Sequence, residues 1–220
     1  MPAASPASPP MLNEEAYRRL EESIVTLELA PGSVVSEALL SRRLGIGTTP
    51  IREALQRLAR EHLVQILPRR GVFVTQVDVR LQLQVLETRR ELDRLIARSA
   101  ARRATPAERD RLSAIAGRMA EAVDAGDMLA FLRCDNEMNA AAAQAARNQV
   151  AAQTVATLHS VSRRFWFFHH AQWPGAAATM RLHVDLARAL AAGSEDAAAA
   201  ASDRLIDDLA AFARSTVSAA

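Results

Sequence analysis

Residues 45–58, GIGTTPIREALQRL, constrain the fold of this chain more than any other stretch. A turn at Gly45 feeds a helix in which Ile51, Leu55 and Leu58 recur at helical spacing and form a stripe to be buried. Thr49 is placed to cap that helix and Pro50 to take its first position, where a missing N–H costs no hydrogen bond. Arg52 and Arg57 project from its other sides. Guanidinium groups on such a helix suit a DNA major groove, because arginine reaches both base edges and phosphates. Arg42, Arg43 and Arg60 are weaker candidates, since an arginine on a helix is ordinarily a solvated surface residue.

The flanking segments supply what such a helix needs. Residues 13–29 are amphipathic, with Tyr17, Leu20, Ile24 and Leu27 on one face, and Pro31-Gly32 ends the run. Ser36 and Glu37 open a short second helix that runs through Leu44. After His62, two strand-like runs at residues 63–67 and 72–77 flank Pro68-Arg69-Arg70-Gly71, giving a hairpin with a basic tip. Three helices and that hairpin describe a winged helix-turn-helix, its wing lying along backbone or minor groove.

The order Tyr17, Ile24, Pro31-Gly32, Ser36-Glu37, Leu44-Gly45, TTPIREAL and RRGVFV resembles the N-terminal domain of GntR-type bacterial transcription regulators, over about residues 13–77. The resemblance implies DNA contact by Thr49, Arg52 and the Arg69-Arg70-Gly71 tip, with Thr48 and Arg57 as further candidates. This chain departs from the family's usual pattern in having Gly47-Thr48 where Ser-Arg precedes Thr-Pro, and His62 where a glycine stands before the wing. Loss of that arginine removes a guanine contact, so the operator read by relatives does not carry over.

Charge alone does not argue for nucleic acid. The formal net charge is +2, and all 27 basic side chains are arginine. Residues 13–77 hold nine Arg against eight Glu. Attraction to phosphate must then come from clustering on one face, and binding should be salt-sensitive. The single cysteine, Cys134, excludes an intrachain disulfide, fits a reducing cytoplasm and reads as a buried, inert thiol. Residues 1–12, rich in Pro, Ala and Ser, read as a disordered lead-in without the features of a signal peptide. No apolar run reaches the length of a membrane span, so the expectation is a soluble cytoplasmic protein, at the nucleoid when bound to DNA.

From residue 78 to 220 strand signals disappear and Ala, Leu and Arg recur with helical period. Punctuation divides this half into about six helices: residues 79–104, 106–125, 127–147, a fourth ending near 170, 177–192, and a sixth filling the remainder. The whole chain is therefore expected to be mainly α, a winged helix-turn-helix followed by an antiparallel helical bundle. Within the bundle, Glu87, Arg89 and Asp93 fall near one face of the first helix. Asp135 and Asn139 stand four apart on the third, and His183 precedes Leu186 and Leu190 on the fifth. Polar groups on otherwise apolar bundle helices can converge on an interior cavity.

This half resembles the FCD effector domain of the FadR subfamily of GntR regulators. The resemblance rests on Arg89 with Leu92-Asp93, Asp135-x-x-Met138-Asn139, and His183 with the Ala-Leu-x-x-Gly ending at Gly193. Six helices rather than seven place it nearest the VanR branch. It implies a divalent metal held by an Asp and three His, and a carboxylate effector. Asp135 and His183 stand at ligand positions, but Asn139 replaces one His and Leu205 falls where the last one aligns. Affinity for zinc or nickel should drop severely, although Asp203 or Asp208, about a turn away, could supply a weaker oxygen-rich site. Without a metal, Arg89 can pair with a carboxylate, aided by His183 and Asn139; the plainer alternative is that Arg89 pairs with Asp93 and His183 is a core residue. The run Arg163 to His170, RRFWFFHH, reads as aromatic core, with His169-His170 at a helix end.

These features together predict a ligand-responsive regulator. Two copies would place recognition helices in successive major grooves of a palindromic operator about 34 Å apart, under control of a small carboxylate. Two alternatives are a DNA-binding protein whose pocket has become structural core, and an enzyme on a metal-lined bundle. The absence of a Gly-rich phosphate loop, a nucleophile elbow and a complete metal ligand set argues against the enzyme.

Overall fold

The computed structural model describes residues 12–216, so the expected lead-in at residues 1–11 lies outside the described residues; Leu12 already opens the first helix. The chain divides into two compact units, one ending at Gln76 and one beginning at Val77.

The first unit runs α1 (Leu12–Val25), β1 (Val34–Val35), α2 (Glu37–Leu44), α3 (Thr48–Arg60), β2 (Val64–Leu67) and β3 (Gly71–Val74). Ala16, Tyr17, Leu20 and Ile24 are buried on α1, where they meet the Ile51, Ala54, Leu55 and Leu58 stripe of α3. Helix α1 stops at Val25, short of residue 29, because Leu27 takes a left-handed φ of 64° and breaks the hydrogen-bond ladder. Helix α2 is bounded as expected: the Ser36 hydroxyl accepts from the Leu39 N–H, and Gly45 closes it at φ 67°.

Helix α3 begins earlier than its sequence indicates. Its N-cap is Gly47, with no side-chain cap, and Pro50 is its third residue rather than its first. The N–H groups of a first turn have no partner one turn back, so proline is tolerated there and Thr49 is not needed as a cap. Both threonine hydroxyls thereby remain available on the surface.

The strands form a three-stranded antiparallel sheet in the order β1-β3-β2. Strand β1, only two residues long, pairs Val34 with Phe73 and Val35 with Val72. A Cβ on Gly71, whose φ is +104°, would lie 2.6 Å from the Val35 carbonyl oxygen, so only glycine lets β1 approach the wing. Strand β3 ends at Val74 rather than residue 77, and the Thr75 hydroxyl turns to donate to the His62 carbonyl at 2.7 Å.

The second unit comprises α4 (Val79–Arg103), α5 (Pro106–Ala125), α6 (Met128–Ala145), α7 (Gln149–His169), α8 (Ala176–Ala192) and α9 (Glu195–Ser215), with a 3-10 turn at His170–Gln172. Side chains of Asp78, Asp127, Asn148 and Ser194 cap four of these helices, and Thr105 with Glu108 forms a capping box on α5. Helix α4 packs on α7 and α9, α5 on α6 and α8, and α8 on α9. Phe165, Trp166 and Phe212 are buried together as expected of an aromatic core, but Phe168 is 47% exposed. His170 closes α7, its Nδ1 2.8 Å from the Phe167 carbonyl oxygen. Cys134 is buried. Among the described residues, no helix is long and apolar enough to cross a membrane.

Candidate functional site

Helix α3 turns its apolar stripe inward and leaves Thr48, Thr49, Arg52, Gln56 and Arg60 exposed. Arg52 is held loosely: its Nε and Nη2 donate to the Glu37 carboxylate of α2 at 3.1 and 2.8 Å, with 60% of the arginine side chain exposed. An ion pair whose arginine is so open to water is worth little, so another anion can replace Glu37 at small cost.

Arg57 sits differently. Its guanidinium carbon lies 3.4 Å from the centroid of the Tyr17 ring, its Nε donates to Glu61 at 3.2 Å, and its Nη1 to Glu14 at 3.0 Å. The Tyr17 hydroxyl completes the group by donating to Glu61 at 2.9 Å. Glu61 is 2% exposed, and burial pushes its carboxyl above the ordinary value against the pull of Tyr17 and Arg57. Burial and the neighbouring Glu61 also push the Tyr17 phenol up, so it stays protonated and keeps donating. The Arg57 head is thus engaged on three sides within its own unit.

At the wing tip Arg69 and Arg70 are exposed, and neither makes an ion pair among the described residues; Gly71 follows at the start of β3. Arg42 and Arg60 are likewise exposed without an ion pair there, whereas Arg43 pairs with Glu28 at 2.9 Å.

In the second unit, Arg89, Asp135, Asn139 and His183 converge as the sequence indicates, and they are joined by two residues of different standing. Asp93, expected only as a partner for Arg89, lines the same cavity; His159, on α7, was not singled out. A chamber of about 30 Å³ lies on one side of this polar layer, with a lobe of about 20 Å³ beside it. Glu87 is exposed and does not join, since residues two apart on a helix do not share a face.

Arg89 donates through Nε to Asp93 Oδ2 at 2.9 Å, and His159 Nε2 lies 3.0 Å from Asp93 Oδ1. Asn139 Nδ2 donates to Asp135 Oδ1 at 3.0 Å, and His183 Nε2 is 3.8 Å from that same oxygen. His183 Nδ1 lies 3.1 Å from the Thr179 carbonyl, and its ring meets Phe131 edge-on. Burial alone would raise the Asp93 carboxyl, but Arg89 and His159 more than offset it and hold the group at about 2. Burial pushes both imidazoles below their ordinary value, despite the attraction of Asp93 for His159 and of Asp135 for His183. Both rings are accordingly neutral near pH 7.

These residues do not fit a divalent metal. The Asn139 amide is turned as a donor to Asp135, Leu205 lines the chamber with an isobutyl group, and among the described residues no three His, Cys, Asp or Glu are grouped so as to hold an ion. Asp203 and Asp208 do not substitute: Asp208 accepts from Thr179 at 2.5 Å, Asp203 lies 3.6 Å from Arg94, and neither lines the chamber.

Residues 12–74 match the family of bacterial regulatory proteins called gntR, and residues 84–208 match the FCD domain. Over 190 residues the chain is 30% identical to the uncharacterized HTH-type transcriptional regulator YdfH of Escherichia coli O6:H1, covering 86% of this chain and 82% of that protein. It is 29% identical over 188 residues to the HTH-type transcriptional repressor RspR of Escherichia coli K12, covering 84% and 82%. The solved structure of E. coli McbR/YncC superposes with a TM-score of 0.80 at 18% identity, covering 94% of this chain and 99% of that one, which establishes likeness of fold.

Proposed function

Because the chain belongs to the GntR family of DNA-binding transcription regulators and carries its FCD domain, we propose that it reads a palindromic operator as a homodimer under control of a small carboxylate metabolite. The observation that carries this reading is the exposed face of α3. Thr48, Thr49 and Arg52 lie open beside one another, and among the described residues Arg52 is held by a single, half-buried carboxylate, Glu37. In the groove, a guanine edge or a phosphate takes the place of Glu37, while the threonine hydroxyls and the Arg69-Arg70-Gly71 tip fix register on the backbone. Arg57 belongs to the frame of the unit: its contacts with Tyr17 and Glu61 tie α1 to α3 and set the angle at which α3 is presented.

In the bundle, the effector's carboxylate meets Arg89, with Asp135, Asn139 and His183 around it. No zinc or nickel is required. Effector and DNA are coupled only insofar as the effector binds the two arrangements of the dimer unequally, which shifts the spacing of the recognition helices. Repression relieved by the metabolite is the output, as the name of the RspR repressor supports, and the site of action is the bacterial nucleoid. A second reading, that the pocket is now structural core, is favoured by the chamber's volume of about 30 Å³, room for little more than ordered water.

Selection of bound genomic fragments followed by titration at fixed salt tests the first part. Arg52→Ala should weaken operator binding by about 1–3 kcal/mol, with a smaller loss on random DNA. Equal losses on both would refute base reading by this residue. A thermal-shift screen with organic acids tests the second part; no stabilisation by any of them, with operator binding intact, selects the structural-core reading.

A further inference from the structure

Around the axis of α3, at about 100° per residue, Thr49, Gln56 and Arg60 fall within about 40° of one another and, to within about 30°, directly opposite the buried Ile51, Ala54, Leu55 and Leu58. The flanks of this stripe are taken. On one side Glu53 accepts from Asn13 Nδ2 at 3.1 Å and Arg57 donates to Glu14 at 3.0 Å, both partners on α1. On the other side Arg52 donates to Glu37 of α2. The stripe between is left open: Thr49, Gln56 and Arg60 are exposed, and their side chains make no hydrogen bond or ion pair among the described residues. Gln56 is thus more central to the outward face than Arg52, which stands about 70° to one side of its midline.

Length decides which of the three meets bases. With a rise of about 1.5 Å per residue, Gln56 stands about 10 Å along the helix from Thr49, and Arg60 about 16 Å. A major groove about 12 Å wide holds the first span and not the second, so with Thr49 at one backbone Gln56 lies over base edges and Arg60 emerges at the opposite backbone. Side-chain chemistry agrees with that order. The guanidinium of Arg60 suits a phosphate, whereas the uncharged amide of Gln56 gains little from one and carries a donor beside an acceptor, the pattern that matches the N7 and N6 amino group of adenine. From Arg52 to Gln56 the rise is about 6 Å, close to two base-pair steps of about 3.4 Å.

We propose that Gln56 is a base-reading residue: its amide pairs bidentately with an adenine about two base pairs from the base met by Arg52, while Arg60 holds the flanking phosphate. This rests on the docking of α3 proposed above and deepens it, since it assigns a second position of each half-site to a named side chain. The bond from Asn13 draws the Glu53 carboxylate toward α1, away from the phosphates that Arg60 meets.

The test uses the full chain and an operator obtained by selection of bound genomic fragments, changed one base pair at a time and titrated at fixed salt. Arg52→Ala marks its own base pair as the one whose preference it erases. About two base pairs from it, the unaltered protein should prefer A·T by about tenfold or more, and Gln56→Ala should cut that preference to about twofold or less while random DNA is bound as before. Gln56→Glu should turn the preference at the same pair toward cytosine, which a merely structural residue would not do. Arg60→Ala should weaken operator and random DNA alike and lower the salt slope by about one. Arg52, Gln56 and Arg60 are all exposed, and unchanged melting temperatures check that the variants fold. If Gln56→Ala alters no base preference while Arg52→Ala does, or if its loss is equal on operator and random DNA, the assignment is overturned and the docking of α3 stands. A loss from Arg60→Ala confined to one base pair overturns the placement along the groove. If neither Arg52→Ala nor Gln56→Ala changes any preference, the docking itself fails.

Discussion

His62 holds a left-handed backbone, φ 60°, where α3 gives way to the wing, and nothing in its side chain repays the strain of a Cβ there. The Thr75 hydroxyl bonds the His62 carbonyl, a contact any residue at this position preserves. His62→Gly should therefore stabilise the first unit by about 0.5–1 kcal/mol, the relief of strain being partly offset by greater freedom of the unfolded chain. A rise in the urea midpoint with unchanged slope is the expected reading, and a fall would show that the imidazole contributes something unseen. Arg57→Ala should act in the opposite direction, by about 1–2 kcal/mol, through loss of the Tyr17 stacking and of a partner for buried Glu61. Its operator affinity at a temperature where the variant is fully folded should change less than that of Arg52→Ala. In sequence the two arginines look alike, five residues apart on one amphipathic helix. What separates them is Tyr17 and Glu14 on another helix, a long-range packing fact that helical spacing does not encode.

Helices were legible because their ends are chemically marked. Ser36, Asp78, Thr105, Asp127, Asn148 and Ser194 each stand where a side chain caps the following helix. Strand β1 was not legible, since two valines after a Pro-Gly-Ser turn carry no periodicity, and their pairing depends on a glycine far downstream. That dependence is testable at the level of the element. Gly71→Ala should detach β1 from β3 at a cost of about 1–3 kcal/mol, seen as faster amide exchange at Val35 and Val72 while α1 to α3 keep their protection. The cavity was legible in part for a similar reason. Asp135 and Asn139 announce a shared face by their spacing, but His159 lies alone on α7, where a histidine on an inward stripe reads as ordinary core. Only the approach of α7 to α4 brings it to Asp93. Helices α6, α8 and α9 together place positions 135, 139, 183 and 205 around one chamber, so the frame for an ion persists where its donors do not. Asn139→His with Leu205→His should confer zinc or nickel binding, measurable by calorimetry and as metal-dependent melting. Failure of a folded double variant to bind either ion would show that the two positions do not share a coordination sphere.

At the scale of the whole molecule, the two units should respond differently to acid. His159 and His183 are both buried in the second unit, with imidazoles pushed down from the ordinary 6.5. Below pH 6.5 the unfolded chain therefore binds protons that the folded unit refuses, so stability falls as pH drops from about 6.5 toward the lowered folded values. Each unit of depression corresponds to about 1.4 kcal/mol, and the two buried imidazoles act in the same direction, joined by the partly buried His169, which burial also pushes down. Asp93 has the opposite shift but a separate window. Its folded value of about 2 stabilises the unit above the ordinary 3.8, and that contribution is lost only as pH falls from 3.8 toward 2. Between pH 7.5 and 5, then, the histidines dominate the second unit, which should lose stability, while the first contains neither imidazole and its buried Glu61, pushed up rather than down, shifts it toward the folded form on acidification. Two cores that unfold independently would show this as a separation of melting transitions on acidification. His159→Asn should flatten the dependence in proportion to its share. A second unit whose melting is indifferent to pH over this range would mean that water or protein motion reaches the polar layer around His159 and His183.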